Sequence, residues 1–121
     1  MRSLIALVAL IFSGAAAAAD SNTFQLRDAS DLVRICSVTP EDPQYGNMIG
    51  FCHGILVGAF RYYESAVTST HRFVCAPTPT PTRAKVMNDF VAWAGTHADY
   101  MKDPPVDTLF RYLAEAYPCK K

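Results

Sequence analysis

Residues 45–64 read YGNMIGFCHGILVGAFRYYE. Within them Tyr45, Met48, Ile49, Cys52, Ile55, Leu56, Ala59, Phe60 and Tyr63 recur at steps of three and four. That spacing stacks side chains on one face of a 3.6-residue helix, so the stretch predicts a long amphipathic helix. Gly50, Gly54 and Gly58 lie four apart in the same helix. Each costs about 1 kcal/mol against Ala in a helix interior. A row of them predicts a neighbouring backbone packed closely at Gly54 and Gly58, where Gly58→Leu would overfill the contact. His53, Arg61 and Glu64 interrupt the apolar character, so the glycine spacing does not read as a membrane helix pair.

Shorter helices flank this one. Ser30 is the predicted cap of a first helix that carries Leu32, Val33 and Cys36 on one face. Pro40, Pro43 and Gly46 then supply turn chemistry. The polar residues 65–72 end the long helix. Cys75-Ala76-Pro77 and the alternating Thr-Pro of 78–81 predict an extended linker, because proline removes donors and fixes backbone angles. A third helix opens at Thr80 to Thr82, with Val86, Phe90, Trp93, Ala94, His97 and Met101 on its buried face. Asp103 followed by Pro104 reads as a cap and a first-position proline. The fourth helix turns Val106, Leu109, Phe110, Leu113, Ala116 and Tyr117 inward, and Pro118-Cys119 closes it. No segment alternates apolar and polar residues over strand length. The fold class is therefore all-α, a small antiparallel bundle of about four helices.

The N-terminus carries an address. Arg2 precedes the apolar run LIALVALIF at 4–12, and Ala17-Ala18-Ala19 offers a small-residue cleavage site before Asp20. This is the pattern of a secretory signal peptide. The run is shorter than the roughly 20 residues of a spanning helix, and no Cys near the cleavage point marks a lipoprotein. Residues 1–19 are thus expected to be a cleaved signal peptide and 20–121 a single domain in the periplasm. The mature chain would have 121 − 19 = 102 residues, with 10 basic and 11 acidic side chains, for a net charge of −1. That balance offers no basic surface for nucleic acid, and no polybasic run for an anionic membrane. No second apolar run predicts membrane anchoring after cleavage.

Cys36, Cys52, Cys75 and Cys119 all lie beyond the cleavage site. An even count in a short exported chain predicts two disulfides. Their scattered spacing lacks the close pairs of a zinc site, so no metal is expected. Three pairings are open. Cys36 closes the first helix while Cys52 lies early in the second, and Cys75 and Cys119 sit just outside the ends of the third and fourth. Helix ends therefore favour Cys36–Cys52 and Cys75–Cys119.

Catalytic equipment is hard to find. No nucleophile elbow, P-loop, dinucleotide fingerprint or H-E-x-x-H occurs. Cys52 and His53 are adjacent, so on a helix they point about 100° apart and make no dyad. His97 reads as a hydrogen-bonded core histidine. The acidic pairs Glu41-Asp42 and Asp99 with Asp103 read as a solvated turn and a helix end. No cofactor is implied and no enzyme is expected. Arg61, Tyr62, Arg111 and Tyr112 are residue types enriched at protein interfaces.

The order of motifs resembles a known family. Residues 51–58, FCHGILVG, are similar to the C-x-G-[YI]-[IVL]-x-G signature of the Rap1a/Tai immunity proteins. Cys75-Ala76-Pro77 matches the following C-x-P, and residues 114–119, AEAYPC, match the terminal A-x-A-[FY]-P-C. Val86, Phe90, Trp93 and His97 resemble the family's third segment, although Ala98 stands where the family often has Pro. The resemblance implies a small exported helical protein that binds and occludes a type VI secretion amidase acting on peptidoglycan, and that pairs as a homodimer. The positions carried over are scaffold positions: the four cysteines, Gly54, Gly58, Pro77 and Pro118. No motif marks the toxin-binding surface. Two alternatives compete, a periplasmic acid-stress chaperone of the HdeA type and an exported helical domain of other binding function. The chaperones usually carry one bridge, whereas this chain has cysteines for two.

If disulfides staple the domain, each should contribute roughly 2–4 kcal/mol. Reduction should then lower the melting temperature sharply in a thermal scan followed by circular dichroism. Unchanged melting after complete reduction would sink the staple argument.

Overall fold

Among the described residues four helices form: α1 (Ala29–Cys36), α2 (Tyr45–Ala66), α3 (Arg83–Ala94) and α4 (Pro105–Ala116). Two 3-10 turns, Ser69–His71 and Ala98–Tyr100, connect them. The structure, a computed structural model, describes residues 22–121. The signal peptide read at 1–19 and the cleavage before Asp20 lie outside the described residues. Among the described residues there is no strand, only an isolated antiparallel bridge between Val74 and Pro118. No helix there is long and apolar enough to cross a membrane. The helices form an all-α bundle in which α1 packs against α2, α3 and α4. Leu32 and Ile35 of α1 meet Cys52, Phe90 and Leu109 in a fully buried core.

Helix α1 begins earlier than its cap was expected. Asp28, with extended backbone, is the N-cap, and its carboxylate accepts from the Asp31 amide at 3.2 Å. Ser30 lies inside the helix and donates its hydroxyl to Asp28 instead. The start is fixed from outside the helix. The Ala29 and Ser30 amides donate to the Asp103 and Met101 carbonyls, at 2.9 and 3.0 Å. These contacts satisfy donors that a helix N-terminus leaves unpaired.

Helix α2 buries Met48, Cys52, Leu56 and Tyr63. Its C-terminal carbonyls at Glu64 and Val67 accept from the Arg72 guanidinium. The Tyr63 hydroxyl accepts from the Phe73 and Val74 amides, at 2.7 and 3.0 Å. The chain is thereby held against α2 as it turns into the linker. The expected close packing at Gly54 and Gly58 does not occur, because a Cβ at either position would meet no atom within 4 Å. Each lies two residues beyond a buried one, Cys52 or Leu56, and so roughly 200° round the helix from the core. They face outward.

Thr82 caps α3, accepting from the Lys85 amide at 3.1 Å. The helix ends at Ala94, about two turns short of the expected span, so His97 and Met101 are not on it. Helix α4 starts at Pro105, one residue late, with Pro104 at the cap position. Asp103 therefore is not the cap. Within α4, Val106 is outward at 43% exposure and Tyr112 inward at 4%. Both are reversed from the sequence reading. Thr108 is fully buried, with its hydroxyl donating to the Tyr100 carbonyl at 3.2 Å.

Disulfides join Cys36 to Cys52 and Cys75 to Cys119, with Cα–Cα distances of 5.3 and 4.8 Å. Beside the second, the Cys75 amide donates to the Tyr117 carbonyl at 2.9 Å and the Cys119 amide to the Phe73 carbonyl at 3.2 Å.

One buried carboxylate makes the fold pH-sensitive. The Asp31 side chain accepts from the Arg27 Nε at 2.9 Å and from the Arg27 amide at 3.1 Å. Those bonds, with the Arg27 and Arg34 charges, hold its carboxyl at about 2, below the usual 3.8. A depressed carboxyl contributes stability that is complete above the unfolded-state value and is lost as pH falls through the folded one. The melting temperature should therefore drop between about pH 4 and pH 2. Asp31→Asn should lower stability at neutral pH and flatten that drop. Parallel acid profiles for the two proteins would count against this role.

Candidate partner-binding surface

The histidines and carboxylates do not converge on a site. The Cys52 sulfur is bonded to Cys36, so no thiol stands beside His53. His53 leaves its buried Nε2 without a hydrogen-bond partner. His97 places Nδ1 2.7 Å from the Trp93 carbonyl and stacks on the indole with ring centroids 4.0 Å apart. His71 lies 2.8 Å from the Thr68 hydroxyl in the exposed 3-10 turn. Asp42 accepts from the Gln44 amide at 2.7 Å, and the Thr39 side chain lowers the pKa of Glu41. Asp103 faces Arg111 at 3.9 Å. Among the described residues no three His, Cys, Asp or Glu side chains gather as metal ligands would. Burial pushes the Tyr112 hydroxyl up, away from any use as an acid or base near neutrality.

The surface is more informative than these groups. On the outer side of α2, Gly54, Ile55, Gly58, Ala59 and Tyr62 form one wall of an open groove of about 480 Å³. Val106 and Phe110 of α4 form the other, and the lining is almost wholly apolar. The glycines lower the floor, since nothing projects from them. Tyr62, 73% exposed, stands at the edge. Phe73, 52% exposed, extends the patch through ring contacts with Tyr63 and Phe110, at centroid distances of 5.3 and 6.3 Å. Apolar side chains at an exposed groove mark surfaces that bind other molecules.

One disulfide ties the end of α1 to the interior of α2 and the other ties the linker to the chain after α4, and Pro118 pairs with Val74 in the isolated bridge. Pro77 lies in the exposed linker. Of the interface types singled out in the sequence, Tyr62 is on the groove. Arg61 is tied to Glu64 at 2.7 Å, and Tyr112 is in the core. The sequence reading missed Val106 and Phe73. Val106 lies three residues before the buried Leu109, so helical spacing alone reads it as inward. Phe73 follows a polar stretch with no periodicity to place it.

The family model described as "Rap1a immunity proteins" matches residues 28–119, which takes in all four helices and both disulfides. No curated protein and no solved structure matches the chain.

Space at the glycines gives a direct test of the groove floor. Gly58→Ala places a Cβ where nothing stands within 4 Å, and Ala is the better helix former. The substitution should raise stability by about 1 kcal/mol or less in urea unfolding. A loss of stability would mean that Gly58 is packed against something.

Proposed function

The chain belongs to the Rap1a immunity protein family, and from that premise we propose that it binds a type VI secretion amidase in the periplasm and blocks its attack on peptidoglycan. The match over residues 28–119 carries this reading. Membership supports an immunity role against a type VI effector. The amidase, the periplasmic site and the occlusion mechanism are our own extension. Residues 1–19 would direct export, bringing the protein to the compartment where such an effector cuts. Its action is binding without turnover.

Occlusion needs a surface that can bury about 800 Å² on each partner around a few anchors. The groove between α2 and α4 has suitable anchors in Tyr62, Phe73 and Val106. Tyr is among the residues that dominate binding energy when a partner encloses them. The shallow floor at Gly54 and Gly58 would admit a side chain from the effector.

The first experiment is capture of the tagged protein from the periplasm of its host, with mass spectrometry of what co-purifies. One stoichiometric partner with peptidoglycan amidase activity, lost on binding, is the expected result. Tyr62→Ala and Gly58→Arg should each weaken that complex about tenfold or more without lowering the melting temperature. An intact complex with both variants would remove the groove from the reading. A broad set of proteins, captured more strongly at low pH, would replace immunity with chaperoning.

A further inference from the structure

On the opposite flank of α2 lies a second cavity, of about 490 Å³. Leu56, Val57 and Phe60 of α2 face it from one side, and Val86 of α3 with Leu113 and Tyr117 of α4 from another. The linker closes the remaining side with Cys75, Ala76, Pro77 and Pro81. The prolines present no amide N–H there, which reduces the donors on this wall but leaves its carbonyls. The volume falls within the range of small-molecule sites, roughly 300–1,000 Å³.

Three charged residues border the cavity: Arg61, Glu64 and Arg83. Arg61 and Glu64 neutralise each other at 2.7 Å. Nearby Lys85 is likewise held by Asp89 at 2.6 Å. The Arg83 guanidinium has no ion pair or hydrogen bond with any described residue. The cavity is thus an apolar chamber with one uncommitted guanidinium at its edge. Thr80, three residues before Arg83, adds a hydroxyl to the same border.

We propose that this cavity is a binding site for a long-chain fatty acid, its single acyl tail among Leu56, Phe60 and Leu113 and its carboxylate on Arg83. One guanidinium offers two parallel N–H donors, which fit one planar carboxylate. A phosphate headgroup would bring extra negative charge to a border that also carries Glu64. Two acyl chains would overfill a chamber of this size. The site stands apart from the immunity reading, because it lies on the other side of α2 from the groove. Loss of either assignment leaves the other intact.

The test is titration of the purified protein with cis-parinarate, a fluorescent fatty acid. Its emission should rise and saturate at one site per chain, and palmitate should displace it. Arg83→Gln should weaken parinarate binding about tenfold while leaving competition by hexadecanol, which has no charge, unaltered. Val57→Trp, at the cavity mouth, should abolish binding. Both residues are exposed, and each variant should keep the parent melting temperature as a control on folding. Absence of a saturable signal overturns the site. Equal binding by Arg83→Gln, or equal displacement by zwitterionic lysophosphatidylcholine, overturns the carboxylate assignment. Undiminished binding to Val57→Trp places the ligand elsewhere and overturns the proposal.

Discussion

A helix of eight residues does not hold its shape alone in water, because nucleation is unfavourable and few bonds follow to offset it. Yet α1 has that length and is the element against which the other three helices pack. The bundle therefore depends on what pins α1 in place. At one end the Asp103 and Met101 carbonyls take its free amides, and Asp28 caps it. At the other end Cys36 is bonded to Cys52 of α2. Between them Asp31 is locked to Arg27, while Leu32 and Ile35 are driven into the core. Local sequence, tertiary hydrogen bonds and a covalent tie all act on the same two turns. Without them the core would lose the layer that its other helices share.

A second set of ties shapes the surface. The Tyr63 hydroxyl, the Arg72 guanidinium and the Cys75–Cys119 bond hold the approach to the linker, and Thr82 caps α3 at its exit. Between Cys75 and Thr82 the alternating Thr-Pro stretch cannot coil into a helix that would fill the flank of α2. An extended strap over a helix leaves space under it, and the second cavity is that space. Fold and cavity thus share one cause in the prolines. On the other flank the groove has a different origin, since Gly54 and Gly58 simply lack side chains to fill it.

Legibility in the sequence followed the length of the repeating pattern. Helix α2 could be read because its apolar spacing runs for some twenty residues, and its observed span is Tyr45–Ala66. The spacing of Gly50, Gly54 and Gly58 showed that they share a face but not which one. Only their angle to Cys52 and Leu56 decides that, and it puts them outside. The start of α4 was ambiguous because Pro104 and Pro105 both suit a first turn. Long-range bonding resolves it, since the Asp103 carbonyl is engaged by Ala29 from α1. The shift in the start does not itself turn the helix: Val106 is exposed in the first turn, while Tyr112 shares the buried stripe of Leu109 and Leu113. Likewise α3 stops at Ala94 because the next residues turn, and His97 bonds to the Trp93 carbonyl in place of continuing the helix. The groove was illegible for related reasons: spacing read Val106 as inward, and it did not show that Gly54 and Gly58 face out.

Stability and exposure are linked in this architecture. Three glycines in the interior of α2 each weaken the helix by about 1 kcal/mol relative to alanine. Tyr62, Phe73 and Val106 leave apolar area in contact with solvent that a purely structural protein would gain by burying. Two disulfides, spanning 16 and 44 residues, act on the other side of the balance by restricting the unfolded chain. Because their effect falls mainly on the unfolded state, it makes no demand on the outer face of α2. That face can stay shallow and apolar while the bundle stays folded. A binding protein needs this division of labour: the helix that forms the centre of the fold also presents a low, uncluttered surface to whatever approaches it.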